Sequence, residues 1–132
     1  MNPLLNHPAE ILILLFLIVT FLQSGIDKLI DWRGNVGFVK EHFKNSPLKN
    51  SVPFLLGVIL ITEFSASILM IFGGYQLIIN EVKEIALYGV ELSSLTLIFL
   101  LIGQRLAKDY AGAMTLAVYF IITVFGVFLL SI

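Results

Sequence analysis

Two glutamates lie inside long apolar runs of this sequence, where a charged side chain has few uses besides chemistry or helix pairing. Glu63 interrupts the run at residues 52–72, and Glu91 lies near the start of the run at about residues 85–102. A charged group at the centre of a bilayer costs about 2.5–3.5 kcal/mol even on insertion scales. A neutral carboxyl group can donate a hydrogen bond or carry a proton. Both glutamates are therefore candidates for ligand binding or proton-linked chemistry.

Three uncharged polar residues could complete a site around Glu63. Ser67 follows Glu63 by four residues and shares its helix face. Gln23 lies in the inner half of the first apolar run, and Tyr119 lies near the middle of the last one. We expect Glu63 to face the interior of a helix bundle with Ser67, Tyr119 and Gln23 as its partners. The same contacts would also serve simply to hold helices together.

Four charged residues form a second set, at the ends of the first and last apolar runs. Asp27 and Lys28 lie at the end of the first run, and Arg105 and Asp109 precede the last run. Because their signs are opposite and their depths similar, we expect an ion-pair cluster, with Lys28–Asp109 favoured over Asp27–Arg105. Such pairs can fix the register of two helices without adding much net stability.

The composition is that of a membrane protein. Hydrophobic residues make up 58% of the 132 residues and charged residues 13%, against about 25% charged residues in soluble domains. Four apolar runs lie at about residues 10–30, 52–72, 85–102 and 111–132. They are continuous rather than alternating, which favours helices over the strands of a barrel. The predicted fold is all-α: a four-transmembrane-helix bundle in a single membrane domain, residues 1–132.

Two connections differ in character. Loop 1, residues 31–51, carries apolar side chains near helical spacing with charged residues between them, which predicts a short amphipathic helix on the inner leaflet. The apolar positions are Trp32, Val36, Val39 and Phe43. Loop 2 is expected to begin at Gly73-Gly74 and to be a plain turn.

The basic residues predict an orientation. Of the eight Lys and Arg residues, only Lys83 lies between the second and third runs, and the rest lie in or beside loops 1 and 3. Basic residues favour the cytoplasmic side of a membrane. We therefore expect a bacterial inner-membrane protein with loops 1 and 3 on the cytoplasmic side and both termini outside.

Several function classes are disfavoured. The net charge of −1 offers no basic surface for nucleic acid. With no cysteine, the chain has neither a thiol relay nor a cysteine-ligated metal centre. The two histidines, His7 and His42, lie outside the apolar runs and cannot form a facing haem pair. We therefore expect no metal and no cofactor of the chain's own, and whether the chain is an enzyme stays open.

Three short motifs resemble the DoxX-like family when taken in order. They are Gly25-x-x-Lys28, Glu63 followed by small residues and Gly73-Gly74, and Gln104-Arg105 followed by Asp109-Tyr110-Ala111-Gly112-Ala113. The resemblance covers nearly the whole chain. It implies a small four-helix membrane protein from a family with links to thiosulfate–quinone oxidoreduction and to membrane redox complexes. A quinone or lipid ligand is therefore implied, and any redox cofactor would belong to a partner.

Three functions stay open from the sequence. The first is an accessory subunit of a larger inner-membrane assembly, with a redox or quinone link, whose partners are lipids and other membrane subunits or further copies of the chain. The second is a stand-alone protein or enzyme that binds a lipid, isoprenoid or quinone through Glu63 and Glu91. The third is a proton or small-solute carrier that uses the same two carboxyl groups.

Overall fold

In a computed structural model, which describes residues 3–132, every element of secondary structure is helical. The helices are α1 (Pro3–Asn6), α2 (Pro8–Ile30), α3 (Trp32–His42), α4 (Val52–Asn80), α5 (Glu84–Leu106) and α6 (Tyr110–Ser131), with a 3₁₀ turn at Lys49–Ser51. The helices α2, α4, α5 and α6 are long and apolar enough to cross a membrane. The predicted all-α class is confirmed, and so are four helices long and apolar enough to span a membrane.

The four long helices pack side by side as a bundle. The most extensive contacts join α4 to α5 and α5 to α6, then α2 to α4, and a smaller contact joins α2 to α6. Large aliphatic and aromatic side chains fill the interior between them. The buried core includes Leu14, Leu17, Phe21, Met70, Leu77, Val90, Leu97 and Leu130. Burial of this apolar surface between helices defines which side of each helix faces inward.

Helix α4 extends to Asn80, so the expectation that the chain turns at Gly73-Gly74 is wrong. A Cβ atom at Gly73 would overlap the backbone of Ala86 in α5. Likewise, a Cβ atom at Gly89 would lie 2.8 Å from the backbone nitrogen of Met70. These glycines allow α4 and α5 to touch along their backbones, as small residues do in membrane helix pairs.

Loop 2 is consequently a tight three-residue connection. The end of α4 is closed by Glu81, whose φ of 54° is left-handed. The Glu81 N–H donates to Leu77 O at 3.1 Å and the Val82 N–H donates to Gln76 O at 3.3 Å. The bond from the left-handed residue Glu81 to Leu77 O is that of the αL C-cap motif, and it satisfies one of the last carbonyl groups of the helix.

The bundle has two chemically different ends. Loops 1 and 3 lie together at one of them, where His42 Nε2 is 3.0 Å from Gln104 Oε1; we call this the basic end. The termini and loop 2 lie at the other, where Asn6 Nδ2 donates to Glu81 Oε1 at 3.1 Å; we call this the terminal end. The grouping of loops and termini agrees with the predicted topology, while the side of the membrane stays a prediction.

Loop 1 contains the helix α3. The carboxylate of Asp31 caps it by accepting a hydrogen bond from the Gly34 N–H at 3.1 Å. No residue of α3 is buried, and Phe38 is 72% exposed. At its first residue the ring of Trp32 lies beside Gly57 of α4, which anchors the helix start. Whether α3 lies on a membrane surface with an apolar face toward lipid stays a prediction.

Candidate functional site

The first candidate site is a buried ion pair between α2 and α4. Glu63 is only 4% exposed, so its side chain faces the interior, as expected. Its Oε1 lies 2.8 Å from Lys28 Nζ, at the last turn of α2. From the sequence, Glu63 was expected to have only uncharged partners, and Lys28 was expected to pair with Asp109. The structure instead pairs Lys28 with Glu63.

The geometry around this pair is asymmetric. Lys28 Nζ donates to Ser24 Oγ at 2.7 Å, and its contact with the Ser24 carbonyl oxygen is 3.5 Å. The angles at Glu63 Oε1 are not those of a hydrogen bond, so that oxygen has a neutralising charge beside it and no aligned donor. A Cβ atom at Gly25 would lie 3.1 Å from the Phe64 ring, so Gly25 allows α2 to approach α4 here. The arrangement holds the two helices together.

The expected partners of Glu63 do not surround its carboxylate. Ser67 Oγ donates to the backbone carbonyl of Glu63 at 2.8 Å, because a serine in a helix can bond back by one turn. Tyr119 packs against Phe16, with the ring centroids 6.2 Å apart. Gln23 is exposed on the outer side of α2. The four residues thus do not form one polar site.

The expected ion pair between Lys28 and Asp109 is not formed. Asp109 Oδ1 accepts a hydrogen bond from the Gly112 N–H at 2.9 Å, which makes Asp109 the N-cap of α6. Its Oδ2 lies 3.3 Å from His42 Nε2 in loop 1. Because the helix start already fixes Asp109, its carboxylate faces loop 1 rather than α2.

The alternative pair of Asp27 with Arg105 is not formed either. The Arg105 guanidinium lies over the Tyr110 ring, 5.1 Å from the centroid. Asp27 is exposed, and its backbone carbonyl accepts from Asn35 Nδ2 at 3.2 Å. The basic end is therefore linked through His42, Gln104 and Asp109, and sequence reasoning had given no weight to His42.

The second candidate site is Glu91, which faces away from the bundle. Its side chain is exposed, whereas Gly89, Val90 and Ser93 on the same helix are buried. Across residues 3–132, no side-chain hydrogen bond or ion pair involves Glu91. Its neighbours on the outer side of α5 form a stripe, which we call the Glu91 stripe: Tyr88, Glu91, Leu95, Ile98 and Ile102.

The depth of Glu91 follows from the helix register. The contacts of Gly73 with Ala86 and of Gly89 with Met70 set α4 and α5 antiparallel. In this register Glu91 lies level with Ile68, close to the midpoint of Val52–Asn80. Glu91 is, however, seven residues from the start of α5, about 10 Å at 1.5 Å per residue, and its neighbour Val90 lies beside Gly126, near the end of α6. The outward carboxylate thus lies inside the apolar span, in the half nearer the terminal end.

The hydroxyl groups in the bundle interior are satisfied within their own helices. Ser93 Oγ donates to Gly89 O at 2.9 Å, and Thr96 Oγ1 donates to Leu92 O at 2.8 Å. Thr123 Oγ1 does the same with Phe120 O at 2.8 Å. The protons of these hydroxyl groups are therefore already donated to backbone carbonyl oxygens of the same helix.

Sequence reasoning missed a polar cluster at the terminal end. His7 Nδ1 lies 3.1 Å from Glu10 Oε2, and His7 Nε2 lies 3.4 Å from Glu81 Oε1. Lys83 Nζ is 3.6 Å from Glu10 Oε2 and donates to Leu129 O at 3.3 Å. The cluster ties together α2, α4, α5 and α6, and its members lie in sequence segments too far apart to suggest it. Within the described part of the chain, no three acidic, histidine or cysteine side chains form a metal-binding group.

Comparison with known proteins assigns no family. No family model, curated protein or solved structure matches the chain. The interpretation of both candidate sites therefore follows from the contacts that this chain itself makes.

Proposed function

We propose that this chain is an accessory subunit of a larger inner-membrane assembly, and that it packs on a partner helix through the Glu91 stripe. The observation that carries the proposal is the position of Glu91: an exposed carboxylate inside the apolar helix α5, about 10 Å from its start. Ordinary lipid-facing positions of this bundle hold Leu, Ile, Val and Phe.

Energetics favour a protein partner at this position. A charged side chain costs about 2.5–3.5 kcal/mol at the centre of a span and less toward either end, and hydrocarbon supplies no hydrogen-bond donor. Polar groups that face other helices can form hydrogen bonds that offset part of this cost. A partner helix with a basic or hydrogen-bonding side chain at the depth of Glu91 would supply the partner that α5 lacks.

The structure gives the competing functions less support. A stand-alone binder or a carrier needs Glu63 and Glu91 to act at one site. Glu63 is buried and level with Thr96, whereas Glu91 is exposed and lies five residues further along α5 toward the terminal end, about 7–8 Å at 1.5 Å per residue. A single head group or a short proton path therefore does not reach both carboxylates directly.

The proposal includes the finer assignments from the sequence. Loops 1 and 3 are placed in the cytoplasm, and α3 is placed as an amphipathic helix on the inner leaflet. The resemblance to the DoxX-like family favours a membrane redox assembly, in which the partner holds the cofactor or a quinone. These assignments rest on the positions of the basic residues and on the motifs.

Photo-crosslinking in native membranes tests the stripe. A p-benzoylphenylalanine placed at Leu95 should give a discrete product heavier than the 14.7 kDa chain. The matched control is Met114 on α6, which is 68% exposed and should give only lipid adducts. Adding Glu91→Leu should suppress the Leu95 product. Identical patterns from the two positions would contradict the proposal, and a product containing only two copies of the chain would overturn the accessory-subunit role.

A further inference from the structure

Three lysines converge on a surface depression at the basic end. The depression measures about 430 Å³ and is lined by Lys40, Lys44, Lys49, Asn50 and Pro53; we call it the lysine depression. Its residues come from α3, the segment after it, the 3₁₀ turn and the start of α4. Separate elements thus bring these ammonium groups together, and sequence neighbours alone would not do so.

The charges around the depression do not balance. Lys44 Nζ donates to Glu41 Oε1 at 2.8 Å, and this hydrogen bond with the carboxylate raises the pKa of Lys44, which stays protonated at neutral pH. Lys40 and Lys49 are exposed and form no ion pair within residues 3–132. Of the three lysines, only Lys44 is paired with a carboxylate in the described part of the chain, which leaves an excess of positive charge at the depression.

The backbone beside the depression adds to this field. The 3₁₀ turn Lys49–Ser51 leads directly into the 29-residue helix α4. The Ser51 side chain makes no capping hydrogen bond to the first turn of α4. The positive end of the helix dipole consequently lies next to Asn50 and Pro53, where it favours an anion.

Apolar side chains lie close to the lysines along the chain. Phe54 directly follows Pro53 and is 73% exposed, and Phe38 of α3 is 72% exposed. Because α4 continues from here through the bundle as a helix of membrane-spanning length, the depression lies at the end of a candidate span. A combination of ammonium groups and exposed phenylalanines suits a ligand with a charged head and an apolar tail.

We propose that the lysine depression binds a phosphate group, carried by the head group of an anionic phospholipid. Lysine ammonium groups bind phosphate as point charges, without the fixed geometry that arginine requires. Asn50 adds a neutral hydrogen-bonding group to the lining. The Glu91 stripe takes no part in this site, so the inference stands independently of the proposed subunit role.

Native mass spectrometry of the detergent-solubilised protein tests the site. The ligands are phosphatidylglycerol, phosphatidylcholine and inorganic phosphate, each titrated separately. The test variant is Lys40→Gln/Lys49→Gln, and the control, Arg33→Gln/Lys108→Gln, removes the same charge from exposed positions outside the depression. We expect one phosphatidylglycerol bound, about 25-fold more weakly to the test variant, because each lysine near an anionic surface contributes about fivefold. The control should change binding much less.

Each result decides between outcomes. Phosphatidylglycerol binding that is lost in the test variant alone supports a lipid head group, and phosphate binding with the same pattern and no lipid preference supports free phosphate. Equal losses in test and control variants would show diffuse attraction and overturn the site, as would no binding of either ligand. Circular dichroism checks that the variants stay folded, and the single substitutions Lys40→Gln and Lys49→Gln serve if the double variant unfolds.

Discussion

Glu63 and Glu91 are the same side chain in two regions of one membrane bundle, and their surroundings differ in every respect. Glu63 is buried, and Lys28 from the neighbouring helix lies 2.8 Å from its carboxylate. Glu91 is exposed on the outer side of α5 and has no ion pair within residues 3–132. Lys28 thus supplies a positive charge for the carboxylate of Glu63, whereas the described residues supply none for Glu91.

Glu63 therefore contributes to packing within the bundle, whereas Glu91 is available for contact with a partner. The Lys28–Glu63 pair links α2 to α4, so its loss should appear in the isolated chain. Within residues 3–132, Glu91 forms no side-chain hydrogen bond or ion pair, so its loss should appear mainly where a partner is present. Stability measurements and assembly measurements should therefore rank the two sites in opposite orders.

The largest effect is expected from Lys28→Met. Removal of one partner of a buried ion pair leaves an uncompensated charge and typically costs about 3–5 kcal/mol. Unfolding in mixed micelles, followed by circular dichroism, should show a loss of this size. The double variant Lys28→Met/Glu63→Leu should regain most of the stability, because apolar residues can replace such a pair. A single variant as stable as the wild type would mean that the pair does not hold α2 to α4.

A charge exchange provides the matched control for this pair. Lys28→Asp combined with Asp109→Lys should give additive losses, to within about 0.3–0.5 kcal/mol, because the two side chains share no contact. Asp109 instead caps α6 and faces His42. Recovery of stability in the double variant would indicate that Lys28 pairs with Asp109, as expected from the sequence, and not with Glu63.

A smaller loss is expected from Gly73→Ala, which tests the register of α4 against α5 that sets Glu91 level with Ile68. A Cβ atom there meets the backbone of Ala86, which cannot move aside as a side chain can. Overpacking of this kind costs about 1–3 kcal/mol. The control is the adjacent Gly74→Ala, where the nearest atom is Leu14 Cδ1 at 4.0 Å. The same unfolding assay should find the control at least as stable as the wild type, and equal losses at both glycines would contradict the register.

Continuous apolar runs made the four spans predictable from sequence. They determine that helices form, but not where each one ends. Gly73-Gly74 is typical of a turn and equally typical of a close helix contact, and only the position of Ala86 in α5 decides between them. Asp109 was open to better prediction, because an aspartate just before an apolar run is a common N-cap.

The candidate sites were predictable only in part. An interior position for Glu63 follows from its charge, but its partner depends on the rotation and offset of α2 against α4, which no local pattern encodes. The outward position of Glu91 had a usable signal: Ala86, Gly89 and Ser93 recur at helical spacing and are buried. Residues two apart on a helix lie on nearly opposite faces, so the small face at Gly89 directs Glu91 away from it.

The smallest effect on the isolated chain, and the most direct test of the proposed role, is expected from Glu91→Leu. In mixed micelles this variant should be as stable as the wild type or slightly more so, because leucine suits lipid better than a carboxylate does. Mild-detergent extracts of native membranes should contain the wild-type chain in a larger complex, whereas Glu91→Leu should release the free chain. A complex that survives Glu91→Leu unchanged, or a wild-type chain that migrates alone, would contradict the account.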